Sequence, residues 1–155
     1  MKAASDLLEE CRQRNWTLTV AESLTGGLLS AAVVDVPGAS TVFRGGVTTY
    51  QLSTKTAILG VDEAELARTG AVTASVAAQM VRGVSALFRA DMAISTTGVA
   101  GPDADGDHPV GQVFIAVKTP EQVVVSEHYF SGERTQIRAE TVRVALEIAR
   151  KLASE

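Results

Sequence analysis

A serine beside two glycines has the surroundings that acyl transfer requires. The stretch reads Val20-Ala21-Glu22-Ser23-Leu24-Thr25-Gly26-Gly27. Alternating residues before it (16–21) predict a strand, and the apolar spacing after it (28–34) predicts a helix. Because the first N–H groups of a helix lack intrahelical partners, Ser23 would combine a nucleophilic hydroxyl with donors for an oxyanion. The alternative is that the turn only caps a helix or binds an anion.

A serine nucleophile needs a base, and the two histidines are poor candidates. His108 lies in an acidic loop and His128 lies inside a strand pattern, so neither belongs to a catalytic constellation. Lys118 ends a strand at a predicted hairpin, which is usually a solvated position. A Ser–Lys pair that uses Lys55 is therefore the alternative to a histidine triad.

Lys55 begins a short predicted helix just after the strand that ends near Tyr50. A lysine held at an apolar sheet edge can have its pKa lowered enough to accept a proton. Tyr50 would then orient Lys55 or relay a proton. Taken singly, a solvated Lys55 and a structural Tyr50 remain open alternatives.

A second glycine-rich loop, Thr97-Gly98-Val99-Ala100-Gly101-Pro102-Asp103, follows an apolar strand pattern. It lacks the Gly-Lys-Ser/Thr ending of a nucleotide-binding P-loop, so it is a weak phosphate signal by itself. Arg134 and Arg138 are one helical turn apart and could face one anion together. On spacing alone, two solvated arginines explain the pattern equally well.

Composition excludes several classes of protein. The net charge is −4 and aromatic residues make up 5% of the 155 residues, which argues against a nucleic-acid surface. Cys11 is the only cysteine, so neither an intramolecular disulfide nor a cysteine metal cluster can form. No acidic or histidine set has metal-ligand spacing, and no cofactor is implied. Without an apolar run of about 18–20 residues, no membrane span is expected, and the cytoplasm is the predicted location.

The elements that must position these residues alternate between strands and helices. Strands are predicted at 16–21, 41–50, 92–97, 110–118 and 123–130, and Gly45-Gly46 is interpreted as a bulge or a close backbone approach. Helices are predicted at 2–14, 28–34, 53–59, 62–67, from 73 to about 87, and at 133–154. The expected fold is a single α/β domain over residues 1–155, a three-layer α/β/α sandwich with a mixed, mainly parallel five-stranded sheet. Both glycine-rich loops follow strands, so they should lie at one sheet edge.

Taken together and in order, these segments resemble the CinA C-terminal domain family. The matching pieces, which cover nearly the whole chain, are residues 21–27, 46–50 with Lys55, 70–73, 97–103, 109–113 and 132–138. Each motif alone is modest, but the ordered set is specific.

The resemblance implies hydrolysis of the carboxamide of nicotinamide mononucleotide (NMN) to nicotinate mononucleotide and ammonia, in pyridine nucleotide recycling. It also implies Ser23 as nucleophile, Lys55 as general base and Tyr50 as their support. Family members commonly self-associate, so a homo-oligomer is expected. The substrate-binding residues expected from the resemblance and from the loops are Thr25, Gly26, Gly27, Thr97, Gly98, Ala100, Gly101, Arg134 and Arg138.

Two other functions remain open. The chain could be a mononucleotide-binding or regulatory module of the same fold without turnover, or an amidohydrolase for another small amide. In the predicted mechanism, N–H groups around Thr25, Gly26 and Gly27 stabilise the oxyanion, and glycine amides with Arg134 hold the phosphate.

Overall fold

One five-stranded sheet with helices on both faces makes up the protein. The computed structural model describes residues 1–155, and the strands follow the order β2-β1-β3-β4-β5. The strands are β1 (Leu18–Glu22), β2 (Phe43–Thr48), β3 (Met92–Gly98), β4 (Gln112–Lys118) and β5 (Val123–Tyr129). The helices are α1 (Lys2–Gln13), α2 (Leu28–Val34), α3 (Leu52–Leu59), α4 (Glu63–Thr69), α5 (Ala74–Phe88) and α6 (Arg134–Ser154). The three-layer mixed sheet predicted from the sequence is confirmed.

The sheet is parallel in one half and antiparallel in the other. Strand β1 pairs in parallel with β2 and β3, whereas β4 pairs antiparallel with β3 and β5. Four strands therefore share one direction and β4 alone opposes them. The four residues between β4 and β5 allow only a hairpin, while the parallel pairs need crossover helices.

Successive residues of each strand pack into two separate cores. Leu18 and Val20 lie in the core that α1, α2 and α6 cover, and Ala21 lies in the core beneath α3, α4 and α5. This alternation follows the two-residue period of a strand. Because both faces are covered, every residue of β1 is buried. None of the helices combines the length and apolar character needed to cross a membrane.

The glycine pair of β2 acts as both a bulge and a close approach. Leu18 pairs with Phe43 but Thr19 pairs with Gly45, so the register skips Arg44. A Cβ atom at Gly46 would lie 2.6 Å from Val20 Cγ2, so only glycine fits there. The sequence-based interpretation of these glycines is confirmed.

Apolar residues at helical spacing in α5 and α6 do not all face the core. Leu87 shares the spacing of Val76, Met80 and Val84 but is 50% exposed, and Phe88 packs against Gly45 instead. In α6, Leu146 is fully buried together with Ala145 and Ala149, while Ile148 is only partly buried. Apolar spacing identified both helices but not their final rotation.

Candidate active site

The carboxyl ends of the three parallel strands define one edge of the sheet. Ser23 follows β1, Lys55 lies on α3 after β2, and Thr97 and Gly98 end β3. Between them is an open cleft of about 410 Å³. Its lining consists of Ser23, Leu24, Tyr50, Gln51, Leu52, Lys55, Gly70, Ala71, Val72, Thr97, Gly98, Ala100, Asp105 and Arg134.

Ser23 and Lys55 contact each other in this cleft. Lys55 Nζ lies 3.0 Å from Ser23 Oγ. The ammonium also donates hydrogen bonds to the backbone carbonyl oxygens of Thr49 and, at 3.4 Å, Tyr50. The Lys55 residue is fully buried and belongs to none of the four ion pairs. The lysine is thus held by neutral oxygens alone.

Burial lowers the pKa of Lys55 from 10.5 to about 8. The cause is the loss of hydration of the ammonium, and no nearby carboxylate offsets it. A minor but useful fraction of the amine is therefore neutral near pH 7. A neutral amine accepts the hydrogen bond of the serine hydroxyl instead of donating, which is the geometry of a nucleophile and its general base.

The turn after Ser23 leaves some N–H groups free and uses others. The Ser23 N–H donates to Thr96 O, and the Gly26 N–H donates to Ser23 O at 3.1 Å. Gly26 is therefore not available as an oxyanion donor, contrary to the sequence-based mechanism. The N–H groups of Leu24, Thr25 and Gly27 have no acceptor within the chain.

Hydrogen bonds of Glu22 link the end of β1 to the start of α2. Its fully buried carboxylate accepts hydrogen bonds from the N–H groups of Leu29 and Ser30, at 2.8 and 3.1 Å, and from Ser30 Oγ at 2.8 Å. These are the first N–H groups of α2, which lack intrahelical partners and carry the positive end of the helix dipole. The sequence alone assigned no firm role to Glu22.

The predicted substrate-binding residues of the two loops divide into two groups. Thr97, Gly98 and Ala100 line the cleft, and Thr97 Oγ1 donates to Ala71 O at 2.9 Å. The fully buried Thr25 instead shares a 2.9 Å hydroxyl contact with Thr96, outside the cleft. Gly26, Gly27 and Gly101 also lie outside the cleft lining.

Tyr50 and Arg134 form one wall of the cleft. Arg134 donates to the Tyr50 hydroxyl at 2.9 Å and to Gly101 O at 2.6 Å. Tyr50 is 60% exposed, and only its backbone carbonyl contacts Lys55. The expectation that the Tyr50 side chain orients Lys55 is thus not met, because its phenol is bonded to Arg134 instead.

Arg138 does not join Arg134 at a common anion site. Its Nε and Nη2 atoms donate to Leu24 O at 2.8 Å and to Thr25 O at 3.1 Å. It is not among the residues that line the cleft. The two arginines are one turn apart, but Arg134 lines the cleft and Arg138 contacts the serine turn.

Several residues of the cleft were not identified as site residues from the sequence. They are Leu24, Gln51, Leu52, Asp105 and the segment Gly70–Val72. Residues 70–73 belong to the motifs that resemble the CinA C-terminal domain family, but no site role was expected of them. Neither histidine lines the cleft, since His108 Nδ1 contacts Gln112 and His128 stacks on Phe130. No three His, Cys, Asp or Glu side chains gather where they could hold a metal ion.

The fold and the cleft define an α/β/α protein with a buried Ser–Lys pair at the carboxyl edge of its parallel strands. The chain belongs to the CinA C-terminal domain family, whose family model matches residues 1–153.

Relatives of known sequence and structure agree with this membership. A CinA-like protein of Frankia casuarinae is 45% identical over 90% of the chain and 32% of its own length. A putative competence-damage inducible protein of Bacillus subtilis is 40% identical over 94% of the chain and 35% of its own length. The chain thus spans about a third of the curated relatives it matches.

Solved structures of the same superfamily are similar over nearly their entire length. A CinA superfamily protein of Klebsiella pneumoniae superimposes with a TM-score of 0.95 at 29% identity, covering 99% of this chain and 96% of that one. The competence/damage inducible protein CihA of Agrobacterium tumefaciens gives 0.94 at 34% identity, covering 99% and 94%.

Proposed function

We propose that the protein is an amidohydrolase that converts NMN and water to nicotinate mononucleotide and ammonia, in pyridine nucleotide recycling. The observation that carries this proposal is the 3.0 Å contact between Lys55 Nζ and Ser23 Oγ inside an open cleft, with the lysine pKa lowered to about 8. The resemblance of the ordered motifs to the NMN amidohydrolases supports the choice of substrate. Residues 1–155 would form a single catalytic domain.

The reaction begins with neutral Lys55, which takes the Ser23 proton as Ser23 Oγ attacks the carboxamide carbon. The tetrahedral intermediate collapses, Lys55 returns the proton to the leaving nitrogen, and ammonia departs. Water then attacks the resulting acyl-serine ester with Lys55 again as base. Nicotinate mononucleotide and free Ser23 are the products, and the protons balance.

The intermediate needs hydrogen-bond donors for its oxyanion. The N–H group of Leu24 directly follows the nucleophile, has no acceptor in the chain and belongs to a residue that lines the cleft, so we assign this role to it. Loss of one such donor typically costs ~10²–10³ in rate.

The phosphate group of NMN needs a positive partner farther along the cleft. Arg134 lines the cleft and belongs to no ion pair with a carboxylate, so its charge is available. Gly98 and Ala100 also line the cleft, and because their side chains are small, a ligand can approach their backbone. We assign the phosphate to Arg134 and this loop.

Ammonia release from NMN by the purified protein is the direct test. Wild type should release ammonia, and Ser23→Ala and Lys55→Ala should lower the rate by at least roughly 10³-fold. Lys118→Ala is a matched control, because Lys118 lies at the opposite end of the sheet from the cleft lining. Full activity of Ser23→Ala would refute the mechanism for any substrate.

Two outcomes separate the competing functions. If wild type binds NMN in calorimetry but releases no ammonia, the chain is a mononucleotide-binding module without turnover. If it hydrolyses nicotinamide or another small amide faster than NMN, the amidase chemistry stands and the substrate assignment fails.

A further inference from the structure

We propose that Arg138 is a positioning residue that holds the serine turn in the shape that presents its oxyanion donor, the Leu24 N–H, and that it does not bind the substrate phosphate. This inference rests on the proposed amidohydrolase function. Its basis is the pair of hydrogen bonds from Arg138 Nε to Leu24 O and from Nη2 to Thr25 O.

The peptide group between Leu24 and Thr25 links Arg138 to the donor. The Leu24 carbonyl and the Thr25 N–H belong to one planar trans peptide, so they point in opposite directions. Arg138 is the only group in the chain that hydrogen-bonds to this peptide, because Leu24 O has no other donor and the Thr25 N–H has no acceptor. Arg138 is therefore the hydrogen-bonding group that holds the peptide directly after the Leu24 N–H.

The next peptide is held from both sides. Thr25 O accepts from Arg138 and from the Leu28 N–H, and the Gly26 N–H of the same peptide donates to Ser23 O. This arrangement fixes Gly26 in its turn. Arg138 thus helps to hold the turn in the shape in which the Leu24 N–H stays free beside Ser23.

The absence of a side chain at Gly26 lets the guanidinium approach the turn. Gly26 has a φ of +54°, and a Cβ atom there would lie 3.2 Å from Arg138 Nη2. Arg138 is in none of the four ion pairs, so no carboxylate neutralises it. A partly buried, uncompensated positive charge beside the turn also favours negative charge developing on the substrate.

Enzyme kinetics distinguish positioning from phosphate binding. Arg138→Gln should lower kcat for NMN by roughly 10–100-fold, because a misdirected donor loses part of the oxyanion stabilisation, and should change KM less than twofold. Arg134→Gln should mainly raise KM. A large rise of KM with unchanged kcat in Arg138→Gln would overturn the proposal.

Binding without turnover gives an independent measurement. In a Ser23→Ala background, adding Arg138→Gln should leave the calorimetric Kd for NMN unchanged within about twofold, whereas a lost phosphate contact typically weakens it by tenfold or more. Tenfold weaker binding would therefore refute the positioning role.

A fluorophosphonate probe tests the turn without any assumption about the natural substrate. Ser23 Oγ bonds to phosphorus, fluoride leaves, and Lys55 takes the serine proton, while the phosphoryl oxygen occupies the oxyanion position. Labelling of Arg138→Gln should be roughly tenfold slower than that of wild type. Arg143→Gln is the matched control, because Arg143 is exposed on the same helix and pairs with Glu140. Its labelling rate should be that of wild type.

Chemical rescue and folding controls complete the test. Millimolar guanidinium should restore part of the labelling rate of Arg138→Ala, and circular dichroism should show wild-type helix content for each variant. If wild type labels in an Arg138-dependent way but releases no ammonia from NMN, the substrate assignment fails and the positioning role stands. If NMN is hydrolysed and Arg138→Gln keeps the wild-type kcat and labelling rate, only the positioning role fails.

Discussion

Lys55 Nζ lies 3.0 Å from Ser23 Oγ, and no carboxylate forms an ion pair with the lysine. The two residues are 32 positions apart and meet because β1 and β2 end side by side in parallel. A histidine base would be oriented by an acid, but this lysine is oriented by backbone carbonyls at the end of β2. Burial alone, without an acidic partner, therefore lowers the pKa of the lysine in this pair.

Burial of Lys55 predicts a specific pH dependence of the reaction. The pKa of Lys55 is lowered to about 8, and only the neutral amine can act as base. The value of kcat/KM for ammonia release should rise about tenfold per pH unit below about 8 and level off above it. Rates measured from pH 6 to 9.5 test this. A profile that is flat over that range would contradict Lys55 as the base.

Protein stability should depend on pH through the same residue. The pKa of Lys55 is about 8 in the folded protein and 10.5 for an unperturbed lysine, so between these values the unfolded chain binds more protons. The free energy of unfolding contributed by Lys55 therefore rises with pH from about 8 to 10.5, by roughly 3 kcal/mol.

Replacement by Lys55→Met isolates this effect. The variant should lose ammonia release yet unfold at the same or higher temperature than wild type near pH 7, because no ammonium is buried. Thermal unfolding of both proteins from pH 7 to 10.5 is the measurement. An identical rise of stability in Lys55→Met would show that another group is responsible.

Glu22 is expected to support both stability and rate. In Glu22→Gln, one carboxylate oxygen that accepts from Ser30 becomes an amide donor facing a donor, and in Glu22→Ala both acceptors are lost. We expect each variant to lose about 1–3 kcal/mol of unfolding free energy and to have a lower kcat. Urea unfolding measures the free energy of unfolding, and the rate of ammonia release measures kcat. Glu63→Gln, an exposed acid of α4, should be within about 0.5 kcal/mol of wild type.

Tyr50 should affect substrate binding more than chemistry. Its hydroxyl accepts from Arg134 and makes no contact with Lys55 or Ser23. Tyr50→Phe leaves Arg134 less restrained, so KM for NMN should rise a few-fold with kcat nearly unchanged. Steady-state kinetics test this, with the exposed Tyr129→Phe as control. A large fall in kcat at constant KM would instead support Tyr50 as a proton relay.

The sequence by itself determined the elements and their common edge. Alternation in residues 16–21, helical spacing in 28–34 and the glycines at 45–46 are local signals, and local backbone preference fixed β1, α2 and the bulge of β2 as predicted. Because Ser23 and Thr97 each lie where a predicted strand meets a glycine-rich loop, the sequence was enough to predict that both lie at one edge of the sheet. Ser23 and Lys55 were proposed as partners because no histidine was suitably placed.

Tertiary structure decided what each polar group contacts. Whether Lys55 is solvated or buried depends on the parallel pairing of β1 and β2, which no local pattern specifies. The rotation of α6 directs Arg134 to Tyr50 and Arg138 to the serine turn, although both residues lie on one helical face in the sequence. The hydrogen-bond partners of a long side chain are groups that lie far away in the sequence. They become neighbours only when the chain folds, so a local pattern cannot predict them. Periodicity therefore predicted the strands and helices that carry the candidate site, and long-range packing determined the contacts of its side chains.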